Sequence, residues 1–206
     1  MQKAGKVTIL GTSHISKESV GNAVHLILEQ KPDCVAVELC PERFFSLTHK
    51  TKGSFPSPFY FFLHLFQQYL SSKTGVMAGS EMLYAVEAAQ AVSAHIEFID
   101  KNISETAMKI KAVSGSEKLR LFTALIFSPL ASKSFNLQKT PSKKDVSSAV
   151  SYLKENFPQL HSVLIEERDK HMFSRISELR KHYKKIIVIV GAGHEAGLKK
   201  LLRRHA

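Results

Sequence analysis

The run Ile186-Ile187-Val188-Ile189-Val190 is apolar throughout and ends abruptly at Gly191. A strand with one wet face alternates apolar and polar residues, so an unbroken run of this kind reads as a strand covered on both faces. Covering both faces takes helices above and below, which implies crossover connections and parallel strands. Three more runs supply the neighbours: Val7-Thr8-Ile9-Leu10, Val35-Ala36-Val37-Glu38-Leu39 and Ile96-Glu97-Phe98-Ile99. Helical patterns lie between them. Ser16 to Glu29 places Val20, Ala23, Val24, Ile27 and Leu28 on one stripe, with Ser16 as its cap. Ser80 to Ser93 carries Leu83, Val86, Ala89, Ala91 and Val92 in a helix-forming composition. Val146 to Tyr183 reads as helices interrupted near Pro158, and a short basic helix follows Gly197. The expected fold is α/β, a mostly parallel central sheet flanked by helices, as a single domain over 1–206.

At 206 residues, 44% hydrophobic and 23% charged, the chain is neither fibrous nor disordered in composition. A domain of this size buries enough surface to need no disulfide or metal staple. Met-Gln-Lys-Ala-Gly-Lys runs straight into the first strand, unlike a secretory signal, and no apolar stretch reaches the ~18 residues of a membrane span. The expectation is a cytoplasmic protein, at most peripheral to a membrane. Cys34 and Cys40, in an extended segment, would stand roughly 20 Å apart at ~3.3 Å per residue, too far for a disulfide. Both read as small buried hydrophobes in a reducing compartment.

Charge divides the chain sharply. Residues 1–103 carry equal numbers of basic and acidic side chains, so the whole net charge of +11 sits in 104–206. It concentrates in Lys133 to Lys144, in Arg175 to Lys185, and in Lys199, Lys200, Arg203 and Arg204. Such a field attracts phosphates, nucleic acid or an anionic membrane surface, although a solvated basic face is the plainer reading. No zinc finger, helix-turn-helix or aromatic-basic interleaving points to specific nucleic-acid readout. Ser128 to Ser148, rich in Ser, Lys and Pro, reads as an exposed loop. Phe55 to Leu70 crowds Phe55, Phe59, Tyr60, Phe61, Phe62, Phe66 and Tyr69 together. As a helix, Pro58 to Leu70 would be about 20 Å long, too short to span a bilayer. Core packing or a homodimer contact ranks ahead of a membrane contact or a lid.

Two strands end alike, in Gly11-Thr12-Ser13-His14 and in Gly191-Ala192-Gly193-His194. In a parallel sheet, ligands collect outside the carboxyl ends of the strands. That edge would present His14, His194, Glu38 and Asp100, with Arg43 close by. Two imidazoles and a carboxylate form a plausible divalent-metal set, and such donors suit Mn, Fe, Co or Zn alike. A dinucleotide reading of Gly191-x-Gly193 fails for want of a third glycine and a downstream acidic ribose ligand.

Taken in order, Gly11-Thr-Ser-His-Ile-Ser, Val37-Glu-Leu-Cys-Pro-Glu-Arg43, Gly79-Ser-Glu-Met82, Phe98-Ile-Asp100, Glu167-Arg-Asp-Lys-His-Met172 and Val190-Gly-Ala-Gly-His-Glu195 resemble the TraB/PrgY (pheromone shutdown) domain family. That family is related to the TIKI metalloproteases and, more distantly, to the erythromycin-esterase/ChaN-like fold. The resemblance implies a parallel-sheet core whose GxxH histidines and glutamate line one cleft. It implies metal-dependent proteolysis, with manganese or cobalt, for TIKI-type members, and a lowered activity of a peptide pheromone for PrgY-type members. His14 and His194 match the two GxxH histidines, Glu38 and Arg43 the acidic-basic pair, and Glu81 the acidic residue of the Gly-x-Glu block. Glu167, Arg168 and Asp169 match the acidic-Arg-Asp block. Lys101 departs from the usual arginine, and the Ser/Lys segment at 131–144 is distinctive. Many members carry a hydrophobic membrane segment after this domain, whereas this chain stops at Ala206, as a shortened chain or a soluble member would.

The leading expectation is a metal-dependent hydrolase acting on a peptide, amide or ester. His14, Glu38 and His194 would hold the ion, and Glu81 or Asp100 would be the general base. Arg43 or Arg168 would stabilise an oxyanion or grip a substrate carboxylate, with Glu167 and Asp169 also facing substrate. A plainer role for Glu167 and Arg168 is a buried ion pair that fixes their helix. The alternative function is a peptide-binding module without turnover, in the same cleft.

Overall fold

The structure, a computed structural model, describes residues 4–12, 17–49, 80–126 and 142–205. In chain order these form β1 (Lys6–Thr12), α1 (Lys17–Gln30), β2 (Cys34–Val37), α2 (Pro41–His49), α3 (Ser80–Ala91), β3 (His95–Phe98), α4 (Ile103–Ala112) and α5 (Gly115–Ile126). Then come α6 (Lys143–Asn156), α7 (Pro158–His161), a π-helical turn (Ser162–Glu166), α8 (Glu167–His182), β4 (Lys185–Gly191) and α9 (Ala192–Arg204). His14, the Ser16 cap, the aromatic segment Phe55 to Leu70, and most of the Ser/Lys segment lie outside the described residues.

The four strands are all parallel, in the order β1-β4-β2-β3. The buried run at 186–190 is therefore an inner strand with a partner on each side, as its uninterrupted apolar sequence requires. Alternation sorts its side chains between two layers. Val35, Val37, Ile187 and Ile189 pack with Ala23 and Ile27 of α1 and with Met82, Ala85 and Ala89 of α3. Cys34, Ala36, Ile186, Val188 and Val190 face Met172, Ile176 and Leu179 of α8 and Leu198 of α9. The chain runs from β1 over to β2 and β3 on one face, then returns on the other face to insert β4. Connections that leave a sheet toward opposite faces open a crevice at the carboxyl ends, and here the crevice flanks β4.

The sheet is α/β and parallel as expected, with some boundaries moved. The second strand stops at Val37, because the Leu39 N–H turns back onto the Val37 carbonyl at 2.8 Å. The expected loop ends earlier than Ser148. Ser142 and Asp145 form a capping box, each side chain satisfying the other's backbone N–H, and α6 starts at once. The last helix begins at Ala192 and not after Gly197, with Gly191 as its cap residue. Helices α2, α4 and α5 were not legible as periodic stripes.

Cys34 and Cys40 are both free and buried. Burial, reinforced by the Glu97 and Asp33 carboxylates, pushes the Cys34 thiol up to about 12. Thiolate is the reacting form, so raising the pKa shrinks the reactive fraction at neutral pH. A thiol probe at about pH 8 should therefore leave Cys34 unmodified in the folded protein and label it after denaturation. Fast labelling of native protein at Cys34, located by peptide mapping, would contradict this burial.

Candidate functional site

The crevice beside β4 holds one connected polar cluster, centred on Arg168. This residue is the second of α8, just after the π-helical turn, a helix irregularity that tends to occur at functional sites. Its guanidinium is only 14% exposed and makes a full set of bonds. Nε donates to Asp100 Oδ1 at 2.9 Å, and Nη2 donates to Asp100 Oδ2 at 2.8 Å. Nη2 also donates to Glu38 Oε1, and Nη1 donates to the Leu164 carbonyl at 3.2 Å. The remaining Nη1 proton points at His194 Nε2, 3.1 Å away. A guanidinium has five N–H groups, and all five are engaged. Burial works against its charge, yet Glu38 and Asp100 outweigh that and hold its pKa above the ordinary arginine value.

Each acceptor comes from the end of a different strand. Glu38 follows β2, is buried, and accepts the Gly191 N–H on Oε2 at 2.6 Å. Asp100 follows β3 and also accepts the Lys101 N–H on Oδ1 at 2.8 Å. His194 sits in the first turn of α9, where Gly191 ends β4 and lets the chain turn into the helix. The imidazole is buried, and its Nδ1 lies 2.7 Å from Asp169 Oδ1. A guanidinium can only donate, so where Nε2 accepts from it the Nδ1–H is donated to Asp169. The imidazole is thus held in one orientation by a partner on each nitrogen.

Gly197, one turn further along α9, makes this possible. A Cβ there would stand 1.9 Å from Asp169 Oδ2, so only glycine lets the carboxylate approach the helix. Glycine inside a helix costs about 1 kcal/mol relative to alanine, and here the Asp169–His194 contact accounts for it.

Among the described residues, the Glu38 and Asp100 carboxylates meet the Arg168 guanidinium and Asp169 meets the His194 imidazole. The N-terminus of α9 adds its partial positive charge beside them.

His194 Nε2 and Glu38 Oε1 are 3.4 Å apart, near the edge of a tetrahedron of ligands at ~2.1 Å from a metal. Asp169 behind the imidazole is the usual outer partner of a metal-binding histidine. Among the described residues no group of three or more such donors is ready to hold an ion. His194 and Glu38 are two, and the expected third, His14, lies outside those residues. The donor chemistry fits a divalent ion, which would take the Nε2 lone pair that Arg168 now uses.

The other expected site residues divide. Arg168, Asp100, Glu38, Asp169 and His194 come together. Glu167 points elsewhere: it pairs with Lys109 and lies 3.4 Å from Lys101, 31% exposed. The buried ion pair expected of Glu167 and Arg168 does not form, since successive helical residues face different ways. Arg43 stands half-buried in the first turn of α2 and is in no ion pair among the described residues. Glu81 is fully buried in the first turn of α3. Sequence reading assigned Asp169 to substrate and overlooked Gly197; a glycine three residues after the histidine was the available signal.

The TraB/PrgY/gumN family model matches residues 62–206. An uncharacterized protein of Methanocaldococcus jannaschii is 31% identical over 96% of this chain and 53% of its own length. TraB domain-containing proteins of Bos taurus and Homo sapiens are 24% and 23% identical over 97% of this chain and 63% of theirs. The chain therefore spans little more than half the length of these relatives. On the family match across most of the sequence, this chain belongs to the TraB/PrgY/gumN family.

Proposed function

We propose that this chain is a metal-assisted hydrolase acting on a peptide or another amide or ester, with its chemistry at His194 and Glu38. The observation that carries the reading is the buried His194, fixed by Asp169, with Nε2 standing 3.4 Å from the buried Glu38 carboxylate. His194 and Glu38 would hold the ion, with His14 as the expected third ligand. A divalent ion in such a place polarises a carbonyl and makes water acidic enough to attack near neutral pH.

The protein's own groups take distinct parts. Asp169 keeps the imidazole in one tautomer and orientation, and the Gly191 N–H does the same for Glu38. Arg168 has no N–H left for an oxyanion, so it serves as the clamp that fixes Glu38 and Asp100. Asp100 accepts on both oxygens and is therefore a poor general base. Glu81 is the better candidate for that role, and Arg43, outside any described ion pair, for gripping the developing charge or a substrate carboxylate.

Manganese uptake and fragment release from a peptide library, followed by mass spectrometry, test the reading. The parent chain should take up the ion and cut peptides only in its presence, and the His14→Ala/His194→Ala double variant should lose both. Stoichiometric manganese in that double variant would overturn the assignment. Intact peptide carried through purification, with no fragments under any metal, would replace it by the binding module without turnover.

A second expectation concerns Asp169. Replacing an outer partner of a metal-bound histidine lowers metal affinity by about 10- to 100-fold, so Asp169→Asn should do so while leaving the fold intact. Gly197→Ala should weaken metal binding in the same direction and cost about 1–3 kcal/mol of stability, because its methyl group displaces Asp169. Unchanged manganese affinity in both variants would detach Asp169 from the site.

A further inference from the structure

A cleft of about 850 Å³ opens directly beside the cluster, between the end of β1, α1, α6, α9 and the π-helical turn. Its size lies in the range of small-molecule and peptide sites. Asp169 and Gly193 border it, so its inner end adjoins His194. Its floor is apolar, with Val146, Val150, Ile165 and Leu201.

Its walls are strongly and unevenly charged. Of the acidic lining residues, Glu195 pairs with Lys199 and Lys143, Asp169 meets the His194 imidazole, Glu166 lies 3.6 Å from His161, and Glu18 stands in the first turn of α1. Lys154, Lys170, Lys200, Arg203 and Arg204 also line the cleft, are exposed, and are in no ion pair among the described residues. Five unpaired cations around one concavity repel each other and gain by receiving an anion.

The lining also selects between kinds of anion. Single-stranded nucleic acid is held by aromatic platforms on which bases stack, and the described lining has no Phe, Tyr or Trp. Aliphatic floor with cationic rim suits a chain of mixed side chains with carboxylates. From Gly193 to Arg204 the helix runs roughly 16 Å, the reach of about five extended residues.

We infer that this cleft binds an acidic peptide segment. Its carboxylates lie against Lys154, Lys170, Lys200, Arg203 and Arg204, and its backbone runs along α9 toward His194. Binding stands apart from turnover; only the statement that this peptide is the substrate rests on the hydrolase reading above. The reading then gains a substrate class, a peptide with acidic residues to one side of the bond that is cut.

Fluorescence anisotropy with two labelled peptides of equal length, one rich in Asp and Glu and one with Asn and Gln in their places, tests the inference. An oligonucleotide of similar length serves as a third probe. The acidic peptide should bind at least about tenfold tighter than its amide counterpart at low salt, and less tightly as salt screens the cleft. Lys154→Gln/Lys200→Gln should lose about tenfold in affinity. Lys154→Arg/Lys200→Arg should keep it, and so should Lys181→Gln, which lies outside the cleft. Circular dichroism on each variant separates lost binding from lost fold. Equal affinity for the two peptides, no effect of the glutamine variant, or an oligonucleotide bound more tightly than the acidic peptide would each overturn the inference. Tight binding of an acidic peptide that is never cut supports the inference and counts against the hydrolase alone.

Discussion

The guanidinium of Arg168 is the tie on which the carboxyl edge of the sheet depends. It joins the ends of β2 and β3 through Glu38 and Asp100, and reaches the start of α9 through His194. None of these residues is near another in sequence, so the contact exists only when the sheet order is correct. Burying an arginine and three carboxylates is costly, and removing one member of such a set typically costs about 3–5 kcal/mol because the rest are left unpaired. The cluster therefore contributes less to net stability than to specifying one arrangement of the strand ends. The apolar layers on either side of β4 supply the drive to fold, and the cluster fixes where the polar ends meet.

That arrangement sets a buried imidazole beside a buried carboxylate. Among the described residues, Glu38 and Asp100 share the Arg168 guanidinium, while Asp169 is given over to His194, whose Nε2 stands 3.4 Å from Glu38 Oε1. The N-terminus of α9 adds roughly half a positive charge beside them. Two donors held this close, each by a partner of its own, Asp169 behind the histidine and the Gly191 N–H behind the glutamate, are what the proposed metal site rests on.

The sheet was legible in the sequence because its physics is local. Residues 186–190 are apolar without a break, and a strand of that kind has few alternatives. The start of α6 was legible in principle, from Ser142 and Asp145 at capping-box spacing, but the surrounding serines and lysines masked it. In the site, the strand-end positions of Glu38, Asp100 and His194 followed from topology alone. Their pairing did not. Asp169 belongs to His194, and Arg168 to Glu38 and Asp100, because a helix turns successive side chains about 100° apart and the return connection sets which way α8 faces. Nothing within the Glu167-Arg168-Asp169 block itself distinguishes the residue that faces lysines from the two that face inward.

The two regions of interest meet in α9. Its first turn holds His194 and its last turn holds Arg203 and Arg204, with Gly197 between them pressed against Asp169. A helix of this length is a stiff rod, so an anion held at its basic end lies at a fixed distance from the imidazole. The basic end is also favourable for the helix itself, since cations there oppose its partial negative charge. Charge placement, helix stability and, in the proposed reading, the approach to His194 are therefore served by the same residues. A swap of acidic for basic side chains along the last turn would disturb all three together, whereas loss of one lysine from α6 would alter the cleft alone.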